Sequence, residues 1–267
     1  MAFEFLKIDT DDAGIATMTL NRPDKLNAYN QQLEQEMCLA TEQIGADTSV
    51  RALVVTGEGR AFSAGGDVSD MVPGGGWDLG RQGRYERFKG LHQVALNLQA
   101  MPKPTIAMIN GFAVGAGCNL ALACDIRVSS AKARFGLAFV NVGLGDDMGG
   151  AWFLPRLVGV GKALELYLSG AIIDAEEALR IGLVNQIVEP EDLRSTTYEL
   201  AGRLAHGATH AQGLIKETIY KGMNMSLAEL LDFEAERQVD EMYNPDHQEG
   251  VTAFLEKRDA KFEGSAD

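Results

Sequence analysis

Apolar and polar positions in the first third of the chain follow a pattern that predicts strand, helix and strand. The runs at 3–9 and 14–20 are strand-like and lead to a turn at 21–24. Apolar residues then recur at steps of three and four from Tyr29 to Ile44, which predicts a helix ending near Gly45. The β-branched run ALVVTG at 52–57 predicts a buried strand. Together these elements predict a parallel α/β layer.

The same order of elements returns in the middle of the chain. TIAMIN at 105–110 predicts a strand, AGCNLALAC at 116–124 a helix, and DIRVSS at 125–130 another strand. Between the two units, residues 71–90 combine a Pro-Gly-Gly-Gly turn with many charges. This segment predicts an exposed loop that enters a helix near Tyr85. We expect the loop, with Trp77, Tyr85 and Phe88, to line or cover a binding site.

The last quarter of the chain is helical by pattern, from about Asp192 onward, and a helix is also indicated at 175–183. This tail is too thin to fold alone, so its apolar stripe is expected to pack on the main domain or on a neighbouring subunit. We therefore divide the chain into a core at 1–195 and a helical oligomerisation region at 196–267.

The net charge and the length of the chain make several classes of function less favoured. The 267 residues carry a formal net charge of −14, which disfavours binding to nucleic acid and to anionic membranes. No run reaches the roughly 18 apolar residues that a membrane helix needs, and the acidic N-terminus is unlike a leader peptide, so a cytoplasmic protein is expected. The three cysteines and four histidines lack the spacing of metal ligands, so no metal is expected.

Two glycine-rich turns follow predicted buried strands, at 62–67 (FSAGGD) and 111–117 (GFAVGAG). Neither has the pattern of a nucleotide-binding loop. Small residues at strand ends let a ligand approach the backbone, and a helix that starts after such a turn directs free N–H groups at it. Two such turns side by side could form an oxyanion hole. The alternative is that these glycines only permit tight turns and close helix packing.

Five segments in this order resemble the crotonase (enoyl-CoA hydratase/isomerase) superfamily: LNRPDKLNA at 20–28, AFSAGGDV at 61–68, MPKPTIAMINGFAVGAGCNLALACDIRVSS at 101–130, FLPRLVG at 153–159 and AFLEKR at 253–258. The resemblance implies a spiral of ββα units and a helical C-terminal trimerisation region. It also implies an acyl-CoA thioester as ligand, no separate cofactor, and a homotrimer or a dimer of trimers.

The resemblance also assigns the site. Backbone N–H groups of Ala64 and Ala116 are implied as the two oxyanion donors. The remaining residues implied along the path of coenzyme A and the acyl chain are Lys25, Gly66, Asp67, Val68, Gly117, Phe139, Phe254 and Lys257.

Three positions point to the type of reaction. Hydratases of this family carry two glutamates that hold a water, and here Asn119 and Phe139 stand at those positions. Neither can act as a general base. Asp147 stands where family isomerases have the carboxylate that shuttles a proton along the acyl chain. The resemblance is closer still to the ring-opening isomerases of the phenylacetate pathway, and one departure is Asp146 in place of a usual proline.

This arrangement is chemically coherent, because an oxyanion hole stabilises a dienolate and one carboxylate in a dry pocket can move the proton. Burial and the charge of Asp146 would both raise the pKa of Asp147. The alternative is that the two aspartates cap the following helix, which we expect for Asp146 more than for Asp147. The leading hypothesis is an enoyl-CoA isomerase. The alternatives are a hydratase, hydrolase or lyase of the same superfamily, and a non-catalytic CoA-binding protein.

Overall fold

The computed structural model describes residues 3–264, so the first two and last three residues of the predicted regions lie outside the described residues. Within that range the chain forms ten strands and ten α-helices. The strands are β1 (Leu6–Thr10), β2 (Ile15–Leu20), β3 (Ala52–Gly57), β4 (Ala61–Ser63), β5 (Thr105–Ile109), β6 (Phe112–Val114), β7 (Ile126–Ser130), β8 (Arg134–Gly136), β9 (Ile172–Asp174) and β10 (Gln186–Val188). The helices are α1 (Gln31–Ala46), α2 (Arg81–Ala100), α3 (Ala116–Ala123), α4 (Gly150–Val158), α5 (Val160–Ser169), α6 (Ala175–Arg180), α7 (Leu193–Ala205), α8 (Thr209–Gly222), α9 (Leu227–Glu241) and α10 (Pro245–Glu256).

The larger sheet has six strands in the order β1-β2-β3-β5-β7-β10. The pair β1 and β2 is antiparallel, and every other neighbouring pair in this sheet is parallel. All six residues of β3 are buried, and so are all five of β5. Burial on both faces explains why these strands are continuous apolar runs rather than alternating ones.

The smaller sheet explains the spiral. Its order is β4-β6-β8-β9. The strands β3, β5 and β7 lie side by side in the larger sheet, and the short strands that directly follow them in sequence, β4, β6 and β8, lie side by side in the smaller one. A helix then leads to the next unit, so each unit advances by one strand in both sheets. The predicted α/β fold with a spiral of ββα units is confirmed.

Most predicted elements are found close to their predicted positions. The helix that was expected near Tyr85 begins earlier, at Arg81. The two glycine-rich segments, predicted as turns, overlap with three-residue strands: β4 ends inside the first and β6 lies within the second. A strand of three residues is too short to show an alternating pattern, so the smaller sheet has no signal in the sequence.

The predicted boundary between residues 195 and 196 lies inside α7. This helix packs on the larger sheet through Leu193, Ala201 and Ala205, and the hydroxyl groups of Tyr198 and Thr17 on β2 are 2.6 Å apart. By its packing, α7 is therefore part of the core. In contrast, α9 has no buried residue. Among residues 3–264, no helix combines the length and the apolar character needed to cross a bilayer.

Candidate active site

A cavity of about 430 Å³ opens where the two glycine-rich segments meet a 3₁₀ helix at Ala138–Val142 and the segment leading into α2. Six of the predicted site residues line it: Ala64, Gly66, Val68, Ala116, Phe139 and Asp147. The other lining residues are Tyr29, Glu34, Met71, Trp77, Arg84, Phe88, Leu91, Val114, Gly115, Ala138, Asn141, Val142 and Leu144. The loop predicted to border the site therefore does so through Trp77 and Phe88, whereas Tyr85 does not line the cavity.

The two glycine-rich segments touch each other at Gly65. This residue has φ +81°, and a Cβ placed on it would lie 2.6 Å from the carbonyl oxygen of Val114 and 3.1 Å from the backbone nitrogen of Ala116. Only glycine meets both demands, a left-handed backbone and a contact with a neighbouring main chain. Gly65 thus fixes the distance between the two segments that form the cavity wall.

The structure does not agree with Ala64 as an oxyanion donor. Its N–H donates to the carbonyl oxygen of Leu26, with 2.9 Å between nitrogen and oxygen. A donor held by a main-chain acceptor in this way is not free to bind a thioester. The resemblance points to this turn, but the pattern of residues does not show which of its N–H groups is free of a main-chain acceptor.

Gly66 has the free N–H in this turn. On either side, the N–H of Gly65 donates to Ser63 Oγ at 3.1 Å and that of Asp67 donates to the Tyr29 carbonyl oxygen at 3.0 Å. Within residues 3–264, the N–H of Gly66 has no protein acceptor.

Ala116 is the first residue of α3, and within residues 3–264 its N–H has no protein acceptor. Both Ala116 and Gly66 line the cavity. The cavity wall therefore presents two free backbone donors, one of them at the positive end of a helix dipole.

Asp147 lies at the turn before α4. The backbone is strained there, because Met148 is fully buried with φ +46° and Gly149 follows with φ +79°. The Asp147 atom Oδ1 is buried and has no hydrogen-bond partner within the described part of the chain. Burial, and next the nearby charge of Asp146, raise the pKa of Asp147 to about 7. A carboxyl group with this pKa is suited to removing and returning a proton near neutral pH.

Asp146 has the capping role that the sequence favoured for it. Its Oδ2 accepts the N–H of Ala151 in the first turn of α4 at 2.5 Å. Its Oδ1 accepts the hydroxyl of Tyr167 at 2.6 Å and the side-chain amide of Asn119 at 2.8 Å. The same Asn119 nitrogen also donates to the backbone oxygen of Asp147 at 2.9 Å. The two adjacent aspartates thus differ: both oxygens of Asp146 accept hydrogen bonds, whereas Oδ1 of Asp147 accepts none within the described residues.

Phe139 and Asn119 are the two residues that the resemblance aligns with the glutamates of hydratases. The ring of Phe139 passes 3.8 Å from a Cβ placed on Gly115 and stacks at 25° on Tyr167, with 6.3 Å between centroids. Asn119 is fully buried beneath the cavity wall. This part of the cavity is therefore apolar, and the amide of Asn119 serves the turn.

One group of site residues was missed at the sequence level. Glu34 lines the cavity from α1, and both of its oxygens accept from Arg87 on α2, at 2.7 and 2.8 Å. The guanidinium of Arg87 also lies over the ring of Trp77, 3.9 Å from its centroid. In the sequence, Glu34 stands directly beside the apolar face of α1. This position could have indicated the ion pair, because a buried Glu requires a partner.

Five predicted residues lie outside the cavity lining. Lys25 ends a 3₁₀ helix and is exposed. The carboxylate of Asp67 pairs with Arg22 at 3.2 Å and caps the 3₁₀ helix that follows it. Gly117 permits close packing, because a Cβ there would lie 2.4 Å from the Ser63 carbonyl oxygen. On α10, Phe254 is 83% exposed and Lys257 follows the last helical residue. Their roles toward coenzyme A stay predictions.

Comparison with known protein families identifies the family of this chain. The family model described as Enoyl-CoA hydratase/isomerase matches residues 10–265. The chain belongs to this family.

Two relatives match nearly full length and differ in the reaction that their names give. The chain is 40% identical to a short-chain-enoyl-CoA hydratase of Clostridium acetobutylicum, over 94% of each chain. It is 39% identical to a 1,2-epoxyphenylacetyl-CoA isomerase of Escherichia coli, over 95% of this chain and 96% of the relative.

A solved structure agrees with the fold. An enoyl-CoA hydratase from Bacillus anthracis superposes with a TM-score of 0.92 at 31% identity, covering 98% of this chain and all of the other. The family and fold are thus shown, and both hydration and isomerisation occur among the names of relatives.

Proposed function

We propose that this protein is an acyl-CoA isomerase that shifts a double bond through a dienolate, with Asp147 as the single acid/base. The observation that carries the proposal is the state of the two carboxylates that line the cavity in the described part of the chain. Arg87 pairs with the Glu34 carboxylate, whereas Asp147 is half-buried, has a pKa raised to about 7 and has a buried Oδ1 without a hydrogen-bond partner. A base used to move a proton must have such a free oxygen.

The proposed cycle uses the residues of the cavity and the thioester itself. The thioester carbonyl oxygen accepts from the N–H groups of Gly66 and Ala116, which stabilise the negative charge of the dienolate. The Asp147 carboxylate removes a proton from a carbon of the acyl chain. The electron pair of that C–H bond moves into the conjugated system, and the resulting carboxylic acid returns the proton to a different carbon. The cycle thus conserves atoms and requires no added water.

Hydration is the second candidate, since the chain is 40% identical to a relative named as a hydratase. Water addition in this family uses two carboxylates, and here the second one would have to be Glu34. Both Glu34 oxygens are held by Arg87, and Phe139 makes the adjoining wall apolar. These contacts favour isomerisation over hydration.

The test is a panel of enoyl-CoA thioesters incubated with the protein in deuterated water and followed by mass spectrometry. Isomerisation by one exchanging base should give a product with no added water and with deuterium at the carbons flanking the moved double bond. A product heavier by one water would instead assign hydration. Thioesters that bind but undergo neither change would support a non-catalytic CoA-binding protein.

A further inference from the structure

The hydrogen bonds around Asp146 leave the Oδ1 atom of the adjacent Asp147 without a donor. Both oxygens of Asp146 are occupied, by the Tyr167 hydroxyl, the Asn119 amide and the Ala151 N–H. Within the described residues Oδ1 of Asp147 has no hydrogen-bond partner, and the Asn119 amide beside it donates to Asp146 Oδ1 and to the backbone oxygen of Asp147. Asp146 thus takes up the donors that are nearest to the base.

The hydrogen-bond network around Asp146 requires a glycine at position 150. A Cβ on Gly150 would lie 2.1 Å from the Tyr167 hydroxyl oxygen and 2.2 Å from Asn119 Oδ1. Because a shift of either side chain would disturb the bonds that the Tyr167 hydroxyl and the Asn119 amide nitrogen donate to Asp146, position 150 must lack a side chain. The pair Gly149-Gly150 therefore serves the contact between α3, α5 and the turn as well as the start of α4.

We infer that Asp146 is a positioning residue for the proposed isomerisation, held by Tyr167 and Asn119 beside Asp147 as a fixed negative charge that also keeps hydrogen-bond donors away from that base. The inference rests on the proposed function. Both effects act in one direction, because a nearby negative charge and a lack of donors each disfavour the ionised form of a carboxyl group. Asp146 thereby makes Asp147 a stronger base.

Other groups near these two aspartates do not provide the same effect. Glu34 also raises the pKa of Asp147, but Arg87 pairs with it. Burial raises the pKa of the Tyr167 phenol, so this group stays a donor. Burial also lowers the pKa of His92 on α2, and the charge of Asp146 opposes this only in part, so His92 is mostly neutral near pH 7. The buried groups Tyr29 and Cys118 likewise stay protonated, because burial raises the pKa of both.

The experiment is a direct titration of Asp147 without substrate. Protein labelled with ¹³C at the aspartate carboxyl carbons is followed by NMR, and Asp147→Asn assigns the resonance. In the wild type this carboxyl should titrate near pH 7. In Asp146→Asn its midpoint should fall by roughly half a pH unit, a modest shift because Asp146 is exposed and water screens its charge. Raising the salt concentration should shrink the difference.

Matched variants separate charge from disruption. Tyr167→Phe keeps the Asp146 charge but removes one of its two side-chain holds, so the midpoint should fall by less than in Asp146→Asn. Asp146→Ser removes the charge but keeps an acceptor for α4, and it serves if Asp146→Asn does not fold. Glu165→Gln on α5, whose side chain is 63% exposed, changes the net charge equally and should not move the midpoint.

An unchanged midpoint in folded Asp146→Asn and Asp146→Ser would overturn the inference and reduce Asp146 to a helix cap. The titration needs no turnover, so it can succeed even if the isomerase proposal fails. If the wild type shows neither isomerisation nor deuterium exchange, the proposed function is wrong while the titration still reports on the pair. A lowered midpoint together with a lowered acid limb of kcat/KM would support both.

Discussion

The side-chain amide of Asn119 donates to the backbone carbonyl oxygen of Asp147, with 2.9 Å between nitrogen and oxygen. This contact holds the turn by its main chain, and Oδ1 of the Asp147 carboxylate stays without a donor. Asp147→Asn should therefore preserve the turn and the binding of a CoA thioester. It should lower isomerase turnover by at least the roughly hundredfold expected for the loss of a general base. Steady-state kinetics and calorimetric binding test this, with Glu165→Gln as control. Full isomerisation by Asp147→Asn would show that the base lies elsewhere.

Stability should depend on pH through the same residue. The pKa of Asp147 rises from 3.8 to about 7 on folding, so its ionisation opposes the folded state. Its contribution to stability is complete below about pH 4 and is lost as the pH rises through 7. Asp147→Asn should thus gain stability over the wild type as the pH increases across this window, by at most about 4 kcal/mol. Urea unfolding at pH 4 and pH 8 measures the gain. A gain that is equal at both values would contradict a raised pKa in the folded protein.

Gly65→Ala tests the contact between the two glycine-rich segments. The added methyl group would meet the Val114 carbonyl and the Ala116 nitrogen, and φ would remain positive. We expect a loss of about 2–4 kcal/mol of stability together with a fall in kcat. Gly159→Ala is the matched control, because Gly159 has φ +79° and open space where its Cβ would stand. With ψ at 157° the strain alone should cost about 1–3 kcal/mol, and kcat should stay unchanged. Equal costs would show that strain alone, and not the contact, explains Gly65.

The fold could be predicted in outline because the strands of the larger sheet carry a strong signal. Six buried residues in β3 and five in β5 produce apolar runs that few other structures explain. The smaller sheet could not be predicted in this way, since β4 and β6 have three residues each and lie among glycines. Their pairing depends on the return of the chain after each long strand, which is a long-range property.

The sequence indicates which residues border the cavity better than it indicates which of their atoms are free to bind a ligand. The motif placed Ala64 and Gly66 in one turn, but the hydrogen bond from Ala64 to Leu26 joins residues far apart in the chain. No local pattern could show which N–H that bond occupies. Similarly, the ion pair between Glu34 and Arg87 joins α1 to α2 across 53 positions, and neither partner alone indicates the other.

Lys257→Ala should weaken CoA-thioester binding by several-fold with little loss of fold. Lys257 lies at the C-terminal end of α10, it is exposed, and it does not line the cavity of its own chain. Its ammonium group would contribute charge to the thioester phosphates rather than packing. Calorimetry with a saturated acyl-CoA measures the change, and Lys261→Ala controls for net charge. Unchanged affinity in Lys257→Ala would remove the residue from the site.

An oligomer, either a trimer or a dimer of trimers, is expected from the apolar surface of α8. Ile215, Ile219 and Met223 are 59%, 57% and 46% exposed, at helical steps of four. With Trp152 and Tyr220 they border a groove of about 350 Å³ beside the core. Apolar side chains grouped in this way favour burial against a second copy of the chain, since oligomers of this kind use the same surfaces on every subunit.

Light scattering at micromolar concentration should give the mass of three or six chains. Ile219→Glu places a charge in the centre of the α8 stripe and should shift the mass toward that of one chain, because an unpaired charge is costly to bury. Tyr85→Glu is the matched control, since Tyr85 is 56% exposed on α2 and lies outside the stripe. A monomeric wild type would reject the prediction. An Ile219→Glu variant that keeps the full mass would place the subunit contact on another surface, and α9 would be the next to test because none of its residues is buried within its own chain.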